Sequence, residues 1–330
     1  MLWDLHFHST DSDGIYDNAH TIRQIQNLDP KNHGIWAMTN HDCYSPTFVL
    51  PARDAGINAI WATEISAHSN ELDTSLHITC YTPVLSESIR QIVDSILAGK
   101  TEKVRKQVQL LASNWLPIDF VTFIAWATEQ WYRPTHLSNA QIALFLFSGE
   151  RTSKTLEVLA NLTNWNITSA TLFLQECLKE AGAYGNIGSH IISPYEPELS
   201  ILIDISKQED MILSVAHPNF SFHPVYKRAG ANGNMQTRWD YFHSRILPIL
   251  DEIGIRNYEI NSMATPGQAL AIHDIVQQRN WLITYGSDNH GKSKTDAKHG
   301  LLGKQNQFFD SEVWQRAIVP TRDRLMGWLG

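Results

Sequence analysis

Two blocks of alternating strand-like and helix-like segments most constrain the fold of this 330-residue chain. In the first block, LWDLHFH at 2–8 alternates like a short strand, and the segment 18–29 has helical spacing. A second such pair follows at 34–39 and 46–55, and INAIWATEI at 57–65 resembles a third strand. Strands separated by single helices are typical of parallel βα units, so this block predicts an α/β fold.

The second block repeats this logic nearer the carboxyl terminus. MILSVAHP at 211–218, GIRNYEINS at 254–262 and WLITYGSDNHG at 281–291 resemble strands. The segments 239–253 and 266–279 between them have helical spacing. The chain therefore predicts one α/β domain that is interrupted in sequence.

The interruption is helical and poor in histidine. We expect residues 1–84 and 186–300 to form the α/β domain, and residues 85–185 to form a helical insertion that caps its pocket. Residues 301–330 are expected to be a tail packed on the α/β domain.

Composition excludes several classes of protein. Hydrophobic residues make up 43% and charged residues 18%, which is typical of a globular protein. The net charge is −8 and no basic face is visible, so binding to duplex nucleic acid is not expected. Three widely spaced cysteines predict no disulfide framework. Without a signal-like amino terminus or a long apolar run, we expect a cytoplasmic protein with no membrane partner.

Histidine is the unusual residue, with 15 copies. Metal-binding side chains stand at or just after the ends of the apparent strands, where parallel α/β proteins gather functional groups. These side chains are His6, His8, His41, Glu64, His77, His217, Asp288 and His290.

Taken singly, these motifs are ambiguous. In a strand, residues i and i+2 face the same side, so His6 and His8 can reach one metal ion, but histidines also occur at ordinary sheet edges. Asp288 and His290 repeat this spacing. Asp13 offers a further carboxylate, although Asp-Gly is a common turn pair.

Six motifs in sequence order together resemble the polymerase and histidinol phosphatase (PHP) family. They are DLHFHSTDSDG, TNHD, TEIS, LHITCY, AHPN and GSDNH, between residues 4 and 291. The resemblance is strongest to the phosphoesterases that act on nucleoside phosphates and on 5′ ends of short RNA. It implies a distorted (β/α)7 barrel with a helical insertion, and two or three divalent ions, usually manganese, iron or zinc.

The resemblance also implies a ligand set, with ligands that could be exchanged between ions. It gives the first ion to His6, His8, Glu64 and Asp288, the second to Glu64, His77 and His217, and the third to Asp13, His41 and His290. A metal-bridged hydroxide would attack the phosphorus atom. His217, His290 and Asp288 are the predicted catalytic residues, and the sequence does not decide which group protonates the leaving group.

The sequence departs from the family at Asn40, because the family usually has TDHD where this chain has TNHD. The change bears on the tuning of His41 and on metal preference. Arg133 and His136 resemble substrate-phosphate ligands of the nucleotide-active branch. Glu259 matches a family motif and is expected to contact substrate or to support a metal ligand.

We therefore predict hydrolysis of a small phosphorylated substrate, either a phosphomonoester or a short phosphodiester such as a nucleotide or RNA 5′ end. Three alternatives stay open. A histidinol phosphatase would perform the same chemistry on another substrate, and a non-catalytic PHP module would have lost ligands. An amidohydrolase would cleave C–N bonds and commonly needs a bridging lysine, which no strand end supplies. The oligomeric state is not indicated.

Overall fold

The computed structural model describes residues 3–130, 132–179, 182–189, 195–231, 233, 235–261, 264–291, 300–303 and 316–329. The chain forms two compact units. The first comprises Met1–Val93 and Glu196–Gly330, and the second comprises Asp94–Tyr195. All strands described below belong to the first unit.

A parallel sheet opens the first unit, in the order β1, β2, β3. Its strands are β1 (Trp3–Phe7), β2 (Ile35–Met38) and β3 (Asn58–Ala59). Helix α1 (Asn18–Leu28) joins the first two strands, and α2 (Pro46–Asp54) joins the second and third. The Asp17 carboxylate accepts a hydrogen bond from the His20 N–H and so caps the start of α1.

A second sheet has five strands in the order β4 to β8. These are β4 (Trp61–Ser69), β5 (Thr74–Thr82), β6 (Ile212–Val215), β7 (Tyr258–Asn261) and β8 (Ile283–Gly286). Strand β5 is antiparallel to both neighbours, whereas β6, β7 and β8 are parallel. Isolated bridges from Phe7 to Asn289 and from His41 to Glu64 connect the two sheets.

The predicted α/β class is confirmed, but the predicted seven-stranded barrel differs from these two sheets. The described residues contain eight strands, because the predicted strand 57–65 divides near Ile60 between the sheets. The strands are also not all parallel. Strands β4 and β5 are joined by a short turn at 70–73, and a connection this short can only link antiparallel neighbours.

Helices account for most of the remaining described chain. They are α3 (Glu87–Ser113), α4 (Phe120–Glu129), α5 (Asn139–Leu146), α6 (Arg151–Thr163), α7 (Ala170–Glu176), α8 (Leu199–Gln208), α9 (Pro218–Ser221), α10 (His223–Arg228), α11 (Met235–Tyr241), α12 (Leu247–Ile253), α13 (Pro266–Arg279) and α14 (Val319–Gly327). Short 3₁₀ turns occur at Pro134–His136 and Gly185–Ile187, and a π-helical turn occurs at Phe242–Ile246.

The second unit is helical and has its own apolar core. Phe123, Phe145 and Phe173 are buried in it, and the rings of Phe123 and Phe145 meet edge to face at 5.5 Å. Ser138 and Gln141 form a capping box at the start of α5, which satisfies backbone donors there.

The described end of the chain, 316–329, packs within the first unit. Thr321 donates a hydrogen bond from Oγ1 to the carbonyl oxygen of Ile283 in β8, at 2.6 Å. Trp328 Nε1 and the Arg324 guanidinium both donate to the Asp210 carboxylate, just before β6. Among the described helices, none combines the length and the apolar character that crossing a membrane would require.

Candidate metal centre

The predicted metal-binding side chains come from both sheets. His8 follows β1 directly. His217 lies two residues after β6, and Asp288 lies two residues after β8. The prediction that Glu64 and His77 end their strands was wrong, because each is the fourth residue of a nine-residue strand. An isolated backbone bridge joins Glu64 to His41, three residues after β2, and so places the middle of β4 next to the end of a parallel strand.

Glu64 is the hub of the cluster. Its Oε1 lies 2.9 Å from His77 Nδ1 and 3.0 Å from His217 Nε2. Its Oε2 lies 2.9 Å from His41 Nδ1 and 3.2 Å from His6 Nε2. Burial alone would raise the pKa of this carboxyl, but the surrounding imidazoles, led by that of His41, hold it well below its usual range. Glu64 is therefore ionised at neutral pH, and both of its oxygens can bind cations.

His6, His8 and Asp288 form a group beside this hub. The Nε2 atoms of His6 and His8 are only 3.1 Å apart, and Asp288 Oδ1 lies 3.3 Å from His8 Nε2. Burial, followed by the charges of His290 and His41, lowers the pKa of His8 to about 3. His8 is thus neutral at pH 7 and presents a lone pair, which is the form that binds metal ions.

Asp13 lies close to three histidines at the other end of the cluster. Its Oδ1 lies 3.0 Å from His290 Nε2 and 3.9 Å from His8 Nδ1, and its Oδ2 lies 3.9 Å from His41 Nε2. The Asp13 side chain is 49% exposed, so this end faces solvent. Burial opposes its ionisation, but the His290 hydrogen bond and the nearby imidazoles hold its pKa below the usual range.

All nine predicted ligands therefore lie in one cluster. Their donor atoms form four overlapping groups, and within each group the atoms lie within 4.8 Å of one another. The groups are His8, Asp13, His41 and His290; His6, Glu64 and His217; His6, His8 and Asp288; and His41, Glu64 and His77. The overlap brings His8 towards Asp13 as well as towards His6, which the sequence had not indicated.

Three imidazoles of the cluster are oriented by contacts to their Nδ1 atoms. Glu259 Oε2 lies 2.6 Å from His6 Nδ1, and the Ser221 hydroxyl lies 3.3 Å from His217 Nδ1. His290 Nδ1 lies 3.0 Å from the backbone oxygen of Asp288. In each contact the oxygen can accept a hydrogen bond, which favours a proton on Nδ1 and leaves Nε2 as the nitrogen that could bind a metal ion.

Glu259 is fully buried, and both of its oxygens contact the cluster. Its Oε1 also accepts a hydrogen bond from the His217 backbone N–H at 3.1 Å. Of the two roles predicted for Glu259, this geometry favours support of a metal ligand over contact with substrate.

Asp4 supports the cluster but was not among the residues predicted for the site. Its carboxylate accepts hydrogen bonds from the backbone N–H groups of Ser287 and Gly303, at 2.9 and 3.0 Å. Burial raises the pKa of Asp4 to about 6, against the effect of these hydrogen bonds. Asp4 thereby fixes the backbone next to Asp288. Its position on the same strand face as His6 was the signal that could have identified it.

The predicted substrate ligands Arg133 and His136 belong to the helical unit. Arg133 precedes the 3₁₀ turn Pro134–His136, and the side chain of His136 lies outside the described part of the structure. Their role stays a prediction.

The chemistry of the donor set fits divalent ions. Six imidazoles and three carboxylates converge, and no described cysteine belongs to any of the four groups. Nitrogen and oxygen donors without thiolates suit Mn²⁺, Fe²⁺ or Zn²⁺. The 3.1 Å approach of two imidazole nitrogens also suits a shared cation, because two lone pairs otherwise face each other there.

Comparisons with known proteins were made at three levels. Neither the models of known protein families nor the curated proteins give a match. Among solved structures, the chain is similar to a candidate metal-dependent phosphoesterase of Bifidobacterium adolescentis, with a TM-score of 0.62 and 19% identity over 96% of this chain and 94% of the other. It is also similar to an amidohydrolase of Chromobacterium violaceum, solved with sulfate and no metal, with a TM-score of 0.62 and 15% identity over 98% and 97%. The chain therefore shares its fold with these two proteins.

Proposed function

We propose that this protein is a metal-dependent phosphoesterase that hydrolyses a phosphomonoester or a short phosphodiester. The observation that carries the proposal is the contact of one buried carboxylate, Glu64, with five imidazoles through both oxygens. An ionised bridging carboxylate surrounded by nitrogen ligands is suited to hold several divalent ions close together.

The nine clustered side chains would hold two or three ions, in the overlapping groups described above. When bound, the ions would supply a nucleophile at neutral pH and neutralise charge on the phosphoryl oxygens. The protein contributes fixed geometry, since Glu259 and Ser221 orient His6 and His217 before any substrate arrives.

Exposure indicates the side from which substrate enters. The side chains of His77 and His41 are 38% and 25% exposed, whereas those of His6 and His8 are fully buried. A phosphate group would therefore approach over His41, His77 and Asp13. His217, His290 and Asp288 lie within the cluster, where we propose that they bind ions and assist proton transfer.

Nucleotides and 5′-phosphorylated short RNAs are the substrates to test first, and Arg133 and His136 are the proposed phosphate contacts. Purified protein would be analysed for bound metal and tested for phosphate release, with added Mn²⁺, Fe²⁺ or Zn²⁺. Histidinol phosphate in the same panel separates the related phosphatase activity.

Substitution of ligands tests the site directly. His8→Ala and Asp288→Asn should each abolish turnover and lower metal content while the fold is retained. His273→Ala changes a histidine on α13 and serves as the control, with activity close to that of wild type. Full phosphatase activity in either ligand variant, with metal content unchanged, would overturn the proposal.

One observation favours a second candidate, an amidohydrolase that cleaves C–N bonds. One of the similar structures described above is an amidohydrolase, with the same TM-score as the phosphoesterase. Against it, the carboxylate of Glu64 occupies the centre of the cluster, and no described strand ends in a lysine or is directly followed by one. Release of ammonia or a carboxylate from amide substrates, with no phosphate released from any ester, would favour this candidate. Bound metal without either activity would indicate a non-catalytic module.

A further inference from the structure

We propose that Asn40 is a positioning residue that holds the loop carrying Asp13, and so sets the affinity of the metal ion bound there. The inference rests on the proposed metal centre, but not on phosphoesterase activity. Asn40 follows β2 by two residues and its side chain is completely buried.

The Asn40 side chain uses all of its hydrogen-bonding capacity. Its Oδ1 accepts from the Ser9 backbone N–H and from the Ser12 hydroxyl, both at 2.8 Å. Its Nδ2 donates to Ser9 Oγ at 2.9 Å and to Ser45 Oγ at 2.6 Å. Two acceptor contacts and two donor contacts are the full complement of an amide.

These contacts fix the loop from Ser9 to Gly14 at two points. Ser9 begins the loop, and its backbone oxygen accepts from the Gly14 N–H at 3.0 Å. Ser12 precedes Asp13, and its hydroxyl lies 3.4 Å from His8 Nδ1. Because half of the Asp13 side chain is exposed, packing alone constrains it little, and its position depends on this loop.

The contact pattern differs from the role expected from sequence. The replacement of an acidic residue by Asn40 was expected to affect His41. Within the described structure, however, the side chain of Asn40 contacts three serines and not His41. The substitution therefore acts on the Asp13 end of the cluster.

Charge explains why an amide at this position matters. The group of His8, Asp13, His41 and His290 contains a single carboxylate. An aspartate at position 40 could accept hydrogen bonds from the same serines and would add a negative charge behind the loop. Asparagine keeps the loop in place without that charge, so the ion at Asp13 is held less tightly than with an aspartate.

The test is calorimetric titration of metal-free protein with Mn²⁺, supported by elemental analysis. Wild type should bind three ions. Asn40→Leu removes all four hydrogen bonds at similar volume and should weaken one binding step by about 10- to 100-fold, leaving the other two unchanged. Asn40→Asp should restore that step at least to the wild-type affinity. Ser12→Ala should weaken the same step by a smaller factor.

Asn161→Leu is the matched control, because Asn161 is an exposed residue on α6 of the helical unit and its replacement should leave the three steps close to wild type. Circular dichroism of each metal-free variant checks folding, and Asn40→Asp and Ser12→Ala carry the test if Asn40→Leu does not fold. Equal weakening of all steps, or a wild type that binds only two ions, would overturn the inference. Three ions bound without any phosphate release would defeat the proposed function and leave this inference standing.

Discussion

The two units of the molecule differ in what they bury. The first unit buries charged and ionisable side chains such as Asp4, His6, Glu64 and Glu259, all with 0% exposure. In the described part of Asp94–Tyr195, no Asp, Glu or His is buried, and the buried side chains are mainly apolar with a few uncharged polar ones such as Gln107 and Thr155. Burying a charged group costs free energy unless the group is paired. The buried ionisable side chains of the first unit therefore indicate a functional site, whereas the interior of the second unit indicates packing alone.

The largest effect is expected for Glu64→Gln, which keeps the size of the side chain and removes the charge that lies next to five imidazoles. We expect loss of most bound metal and a fall in phosphate release of about 10³-fold or more, because metal polarisation contributes several kcal/mol. Elemental analysis and steady-state kinetics measure this. Glu157→Gln, at an exposed site of the helical unit, is the control. Wild-type metal content in Glu64→Gln would contradict the hub role.

A substitution in the second core should have the opposite profile. Phe123 is fully buried and packs edge to face on Phe145, so Phe123→Ala should lower the free energy of unfolding by about 3–5 kcal/mol. Metal content of the folded variant should stay unchanged. Urea denaturation measures the loss, with the exposed Val121→Ala expected within about 0.5 kcal/mol of wild type. Metal loss from folded Phe123→Ala would show that the two interiors are not independent.

Glu259→Gln tests a residue of the first unit that contacts a predicted metal ligand without being one. An amide at this position cannot stabilise the Nδ1 proton of His6 as a carboxylate does. Metal affinity should fall by about 10- to 100-fold, measured by competition with a chelator. Asp274→Asn on α13 is the matched control, and an unchanged affinity in Glu259→Gln would exclude the supporting role.

The smallest effect is expected at an exposed ion pair. The Asp210 carboxylate accepts from Arg324 and Trp328. Partial burial acts to raise its pKa, but the two hydrogen bonds together prevail and the pKa lies below its ordinary value. The pair should contribute roughly 0.2–1 kcal/mol at pH 7, and this contribution should vanish as the pH falls through the lowered pKa. Asp210→Asn and wild type should therefore differ in urea denaturation at pH 7 and converge in strong acid. A difference that persists in acid would exclude the ionic contribution.

Local signals in the sequence predicted much of the first unit. Apolar periodicity gave β1, α1, β2 and α2 nearly at their observed bounds, since these signals act over few residues. Seven of the nine predicted ligands converge because carboxyl ends of parallel strands meet at one edge of a sheet, whereas Glu64 and His77 join them from the middle of antiparallel strands.

Features that depend on distant pairing could not be predicted. The antiparallel placement of β5 and the division of the predicted strand 57–65 depend on which strands become neighbours. The contact of His6 with Glu259 joins residues 253 positions apart, and the Asn40 contacts depend on side-chain orientation in a loop. Sequence periodicity carries no information about such register.

The contact between β1 and residues after β8 has a consequence for the order of events during synthesis. The His8 N–H donates to Asn289 O at 2.8 Å, so the first and last strands of the two sheets meet at the cluster. The earliest ligand, His6, leaves the ribosome long before Asp288 and His290 are translated. The proposed metal centre can therefore be complete only after the segment with Asp288 and His290 has been translated, so we expect it to load metal late in synthesis.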